Sequence, residues 1–197
     1  MASGEWERGF SKARRDGKVE DKDNNIKLTY IWKPPDTGLL KINFDGEVFK
    51  EKMMVGVGVV VRDCTGRFVC GGSKKFRNYQ SPKIAKILAT RESVRVAENL
   101  ANFHLIFEGD AMDIVISLLL DEQDGSDCEN LIEEVKMMLR RIGSPKVTWV
   151  GREGNMIAHK LARYAKSISD VIFCSNQAPS FLEEQLKSSY EKWQGLP

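Results

Sequence analysis

The stretch Leu39 to Val48 reads LLKINFDGEV, in which apolar and polar residues alternate up to the pair Asp45-Gly46. A period of two is the pattern of a strand with one buried face, so the segment is expected to be a strand that ends in a carboxylate. Val55 to Val61 (VGVGVVV) and Arg67 to Gly72 follow at hairpin distance, which places Asp45 on the first strand of a three-stranded meander. Asp-Gly is also an ordinary turn signal, and by itself the pair has a structural reading.

Upstream, Trp32-Lys33-Pro34-Pro35 excludes helix and fixes an extended approach to that strand. Residues 1–25 are polar, mixed in charge and without periodic apolar positions, so a disordered tail is expected over 1–30. The tail lacks the apolar run of a secretory signal, and its acidic residues argue against an organelle transit peptide. An intracellular setting, nucleus or cytoplasm, is therefore expected, with no membrane partner. Lys12, Arg14 and Arg15 form a small basic cluster there, read as solvated.

Downstream, Ser81-Pro82 supplies a helix N-cap and a proline at the first helical position. Ile84, Ile87, Leu88, Val94 and Ala97 then recur at helical spacing to about Ala101. His104 to Glu108 (HLIFE) reads as a buried strand, with Asp110 opening a helix over Ala111 to Leu120. An acidic loop from Asp121 to Asp127 leads to a helix over Glu129 to Ile142, which Gly143 stops. Lys146 to Val150 is a short strand, and a helix runs from Asn155 to about Ile168. Ser180-Phe181-Leu182-Glu183 has capping-box spacing, so a short helix to about Tyr190 is expected within an extension over 170–197. A meander that leads into strand-helix alternation implies an α/β domain over 31–169, a mixed sheet with helices on both faces.

At 197 residues and 42% hydrophobic, the chain buries one core. Its 30 basic against 28 acidic residues leave a net charge of +2, which excludes a strongly cationic nucleic-acid glue but not a local basic face. Cys64, Cys70, Cys128 and Cys174 stand singly, without a Cys-x-x-Cys pair or a histidine-rich neighbourhood. That argues against a zinc module or a disulfide framework and for a reducing compartment.

Four motifs in order carry a resemblance: Trp32-Lys-Pro-Pro with Leu40-Lys-Ile-Asn-Phe-Asp-Gly46, Gly56-Val-Gly-Val-Val-Val-Arg-Asp63, Glu108-Gly-Asp110, and Arg152-Glu-Gly-Asn155 with Ala158-His159 and Leu161-Ala162. Together they resemble the plant retrotransposon-type ribonuclease H-like family, over about Trp32 to Ala165. The resemblance implies a ribonuclease H-like fold, with a five-stranded mixed sheet of three antiparallel meander strands plus parallel strands, and helices on both faces. It implies cleavage of the RNA strand of an RNA–DNA hybrid by two magnesium or manganese ions held on four acidic positions. Two dications so close together require clustered anionic oxygens.

On this resemblance the first and third acidic positions fall on Asp45 and Asp110, the second on Lys86 and the fourth on His159. The count is −2 from the aspartates and +1 from Lys86, about −1 with a neutral histidine, too little for two dications. Lys86 reads as a salt-bridge partner of the aspartates, a fixed ammonium in place of a metal ion. Asp113 is the best-placed substitute ligand. Glu47 and Glu108 share strand faces with the aspartates but stand about 7 Å further along, and Glu92 lies about 240° round the helix from Lys86. Lys160, Arg163 and Lys166, with Asn155, are the residues expected to meet nucleic acid. Lys74, Lys75 and Arg77 after the third strand are a second basic group, and either group reads equally as a solvated face.

Two classes of function remain open. One is a hybrid-cleaving endoribonuclease with a degenerate site that needs magnesium or manganese. The other is a non-catalytic module of the same fold, without a cofactor, that binds an RNA–DNA hybrid, structured RNA or a protein partner.

Overall fold

The structure, a computed structural model, describes residues 31–100, 102–120 and 128–195. The expected N-terminal tail and the acidic loop lie outside these residues. In chain order the elements are β1 Leu39–Phe49, β2 Met54–Arg62, β3 Phe68–Arg77, α1 Pro82–Glu98, β4 His104–Gly109, α2 Met112–Leu119, α3 Glu129–Arg141, β5 Lys146–Trp149, α4 Met156–Tyr164, β6 Val171–Ser175 and α5 Ser180–Gln194. They build one mixed sheet in the order β5-β4-β1-β2-β3-β6. The four strands β1, β2, β3 and β6 are antiparallel in turn, while β4 and β5 run parallel to β1.

The sheet therefore has six strands, against the five expected. The added one is β6, which covers the outer edge of β3. Its five residues carry no alternation of exposure, and that removes the signal by which β1 is read. β1 and β3 also run further than expected. Asp45-Gly46 lies in mid-strand, paired with Gly58 and Val57 of β2, and does not form a turn.

Helices cover both faces. On one face α1, α2 and α3 bury Ile87, Leu88, Val115, Ile132 and Val135 against Ile42, Val57 and Phe107. On the other, α4 and α5 bury Ile157, Leu161 and Leu182 against Val60. The N-terminus of α1 is capped as the sequence suggests, with the Ser81 hydroxyl accepting from Ile84 N at 3.3 Å and Pro82 at the first position. The last helix of the family-like region is shorter than expected, with α4 giving way to a 3₁₀ turn at Ala165–Ser167. Among the described residues no helix is long and apolar enough to cross a membrane.

Glycine sets how near α4 comes. A Cβ on Gly58 would stand 2.2 Å from Ala158 O, so the helix packs directly on the backbone of β2. This contact carries the start of α4, and His159 with it, over the centre of the sheet. A polar layer runs beneath. Lys41 pairs with Glu108 at 2.6 Å, and Arg62 donates to Asn43 Oδ1 and Ser189 Oγ while stacking 3.5 Å over the ring of Trp32. Full burial pushes the Arg62 guanidinium down to about 9, which the neighbouring Glu108 charge opposes. The Trp32-Lys-Pro-Pro35 approach is thus anchored by a buried cation.

Candidate functional site

The parallel pair β1 and β4 ends with Asp45 and Asp110 side by side. Asp45 is fully buried in mid-strand, and Asp110 follows directly after β4. Above them lies α1, brought close by Gly46: a Cβ there would stand 2.1 Å from Ala85 O. The next residue of that helix, Lys86, extends over both carboxylates.

Lys86 Nζ bonds Asp45 Oδ1 and lies 2.8 Å from Asp110 Oδ1. Arg152, from the loop after β5, closes the other side, with Nη1 2.6 Å from Asp110 Oδ2 and 3.4 Å from Asp45 Oδ2. His159 Nδ1 is 2.8 Å from Asp45 Oδ2, and its Nε2 is 3.0 Å from Arg152 Nη2. Arg152 Nη2 also lies 2.8 Å from Nδ1, so the guanidinium stands against the ring edge between the two nitrogens. The backbone N–H of Gly46 also donates to Asp45 Oδ1, at 2.8 Å. Each of the four carboxylate oxygens therefore already receives a cation. The charge of the two aspartates is offset by Lys86 and Arg152 to zero.

The titration behaviour follows. Burial would raise Asp45, but the hydrogen bond from His159 and the charges of Lys86 and Arg152 outweigh it and hold the carboxyl below its ordinary 3.8. Burial would lower Lys86, and its two aspartates outweigh that to raise it above 10.5. Stability from the depressed Asp45 is present above pH 3.8 and lost as pH falls through the lowered value. Stability from the raised Lys86 is present below pH 10.5 and lost as pH rises past it. Denaturant midpoints should therefore show a wild-type advantage over Asp45→Asn that is constant from about pH 5 to 9 and shrinks toward zero below pH 3.8. An advantage unchanged at pH 2 would place the stabilisation elsewhere.

Two divalent ions need anionic oxygens free to coordinate them. Those of Asp45 and Asp110 are bonded to an ammonium and a guanidinium, so the residues present do not fit the two-ion group. Among the described residues, the acid-histidine group with ligand atoms within 4.8 Å of one another is Asp45, Glu47 and His159. Glu47 corrects the sequence reading, because its carboxylate reaches back along β1 to 3.8 Å from His159 Nδ1. Arg152 Nη2 stands 3.9 Å from it as well.

The remaining expected residues divide. Asp113 is exposed on the first turn of α2 and outside that group. Asp110 is not the cap of α2, which begins after Ala111 without a side-chain cap, because its carboxylate is taken by Lys86 and Arg152. Asn155 is fully buried and donates to Phe44 O at 2.9 Å, tying the start of α4 to β1. Arg163 and Lys166 are exposed and Lys160 half-buried. Lys74 and Lys75 lie within β3 and turn inward, to Glu92 and to Ile168 O. Glu108 is held by Lys41 and Asn43. Arg152 is the site residue that sequence reasoning missed. Its place in the Arg-Glu-Gly-Asn motif marks it, but nothing in the spacing says that it reaches both aspartates.

A central mixed sheet of this order, with two aspartates side by side where the pairing of β1 with β4 ends, defines a ribonuclease H-like domain. The reverse transcriptase-like family is matched over residues 43–165, and the chain belongs to it. Ribonuclease H1 of the archaeon Halobacterium salinarum shares the fold, with a TM-score of 0.54 at 20% identity over 66% of this chain and 98% of that one. LC11 ribonuclease H1, isolated from compost, gives 0.60 at 18% identity over 68% and 100%. The same enzyme in complex with an RNA/DNA hybrid gives 0.58 at 16% over 66% and 99%. No curated protein sequence matches the chain.

Proposed function

We propose that the chain is a ribonuclease H-type module that binds nucleic acid, an RNA–DNA hybrid in the first place, and does not cut it. The observation that carries this reading is the double cation clamp. Lys86 and Arg152 each bond both Asp45 and Asp110, leaving neither aspartate free to hold an ion. The fold, shared with a ribonuclease H1 whose structure contains a hybrid, supports the choice of ligand. Arg163 near the end of α4 and Lys166 in the 3₁₀ turn after it, with Lys160, form the basic face that would meet phosphates. Asn155 is left out of that face because it is buried.

Binding measured by fluorescence anisotropy should weaken as salt rises from 50 to 200 mM, with a slope of about −0.9 per phosphate neutralised on a B-DNA guide. Lys160→Glu with Arg163→Glu should flatten that slope by about 2. An unchanged slope removes α4 from the interface. In the same preparations no hybrid should be cut in magnesium or manganese. Cleavage by the wild type that Asp110→Asn abolishes would overturn the reading.

A further inference from the structure

The outer strand β6 pairs with β3 alone among the described strands. Asn176 N donates to Val69 O and Lys75 N to Asp170 O, each at 2.8 Å. Antiparallel alternation then turns the backbone groups of Ile172 and Cys174 inward to β3, and those of Val171, Phe173 and Ser175 outward. Val171, Ile172 and Phe173 are 55%, 39% and 51% exposed. The strand is seated closely, since a Cβ on Gly72 would stand 2.1 Å from Ile172 O. Sheet edges are ordinarily blunted by charge, proline or a bulge. The opposite edge, β5, is four residues long and opens on Lys146, whereas Val171–Ser175 carries no such guard.

We propose that this edge is a dimerisation seam, in which β6 pairs antiparallel with β6 of a second copy about a twofold axis through Phe173. The register follows from the outward groups. Val171 opposite Ser175 and Phe173 opposite itself match every outward residue with an outward one, whereas a one-residue slip sets outward groups against inward ones. Charge selects the orientation. In this register Asp170 faces Asn176 of the second copy, whereas parallel pairing would bring two Asp170 side chains together.

The side chains agree with the backbone. Lys74 reaches Glu92 of α1, and Ser73 bonds Leu161 O of α4, so their partners Val171 and Ile172 lie on the α1 and α4 faces respectively. Phe173 shares the α1 face with Val171, beside a groove floored by Val57, Val59 and Val96, and packs there on Phe173 of the second copy. On the α4 face, Ile172 meets Cys174 of the second copy. Five residues make a seam about 17 Å long. A seam this short belongs to a weak dimer, one that depends on concentration.

Analytical ultracentrifugation of the full chain under reducing conditions, from about 10 μM to 1 mM, should show mass rising from monomer toward twice that value. Phe173→Lys sets two ammoniums at the axis while altering a half-exposed side chain, so it should weaken association at least about tenfold without lowering the melting temperature. Register is read by Ile172→Cys. Facing non-hydrogen-bonded residues lie about 4.5 Å apart at Cα, within disulfide reach. Mild oxidation should therefore give a covalent dimer that disappears when Cys174→Ser is added. This cross-link carries the test if Phe173→Lys fails to fold. Monomer at every concentration, association untouched by Phe173→Lys, or cross-linking that survives loss of Cys174 would each overturn the seam.

Discussion

Hybrid cleavage in magnesium should appear when Lys86→Glu and His159→Asp are combined, and stay at background in either change alone. The clamp now sums to zero. The double substitution turns Lys86 and His159 into carboxylates and leaves four of these against Arg152 alone, a net of about −3 beside two dications. Exposure decides why Arg152 is the lesser obstacle. Its side chain is 48% exposed and free to swing into water, whereas that of Lys86 is 21% exposed and wedged over Asp45. Adding Arg152→Gln frees Asp110 Oδ2 and should raise the rate further, to at least about a hundredfold above wild type. The two acidic changes act as a unit, so their effects should be far from additive. Gel analysis of a labelled hybrid reads the result, and activity in Lys86→Glu alone would show that one ligand suffices.

Asp45→Asn should lower stability by about 3 kcal/mol, within the range for breaking a buried charge pair, or about 6–12 °C in melting temperature for a domain of this size. The sign is informative. Where acidic side chains cluster without partners they repel, and neutralising one relieves the fold. Here removal leaves Lys86 and Arg152 sharing Asp110 alone, with Asp45's place fully buried. Urea titrations with and without chelator should give the same loss. A stabilised Asp45→Asn would mean that the clamp is not formed.

The alternation in Leu39 to Val48 and the Ser81-Pro82 cap made the first strand and long helix legible because each is a local pattern with one physical reading. Asp45, Lys86, Asp110 and His159 were legible as one site through the family motifs, and they do converge. Other features were not, for physical reasons. β6 is short and lies at an edge, so its exposure does not alternate, and the nearest sign of it was Gly72, whose missing side chain lets it approach. Gly46 looked like a turn residue because close helix approach and turn formation both call for the same missing side chain. Arg152 and Glu47 act through long, flexible side chains whose reach no spacing rule encodes.

The clamp also spans the chain. Lys86 joins partners 41 and 24 residues away, Arg152 reaches back 107 to Asp45, and His159 reaches back 114. Contacts between such distant segments close only after strands and helices have docked, so they come late on the route to the native state. Interactions absent from the transition state leave the folding rate alone and slow the reverse step. The two cations over Asp45 and Asp110 therefore work as a latch on unfolding: they lengthen the lifetime of the folded domain without hastening its birth.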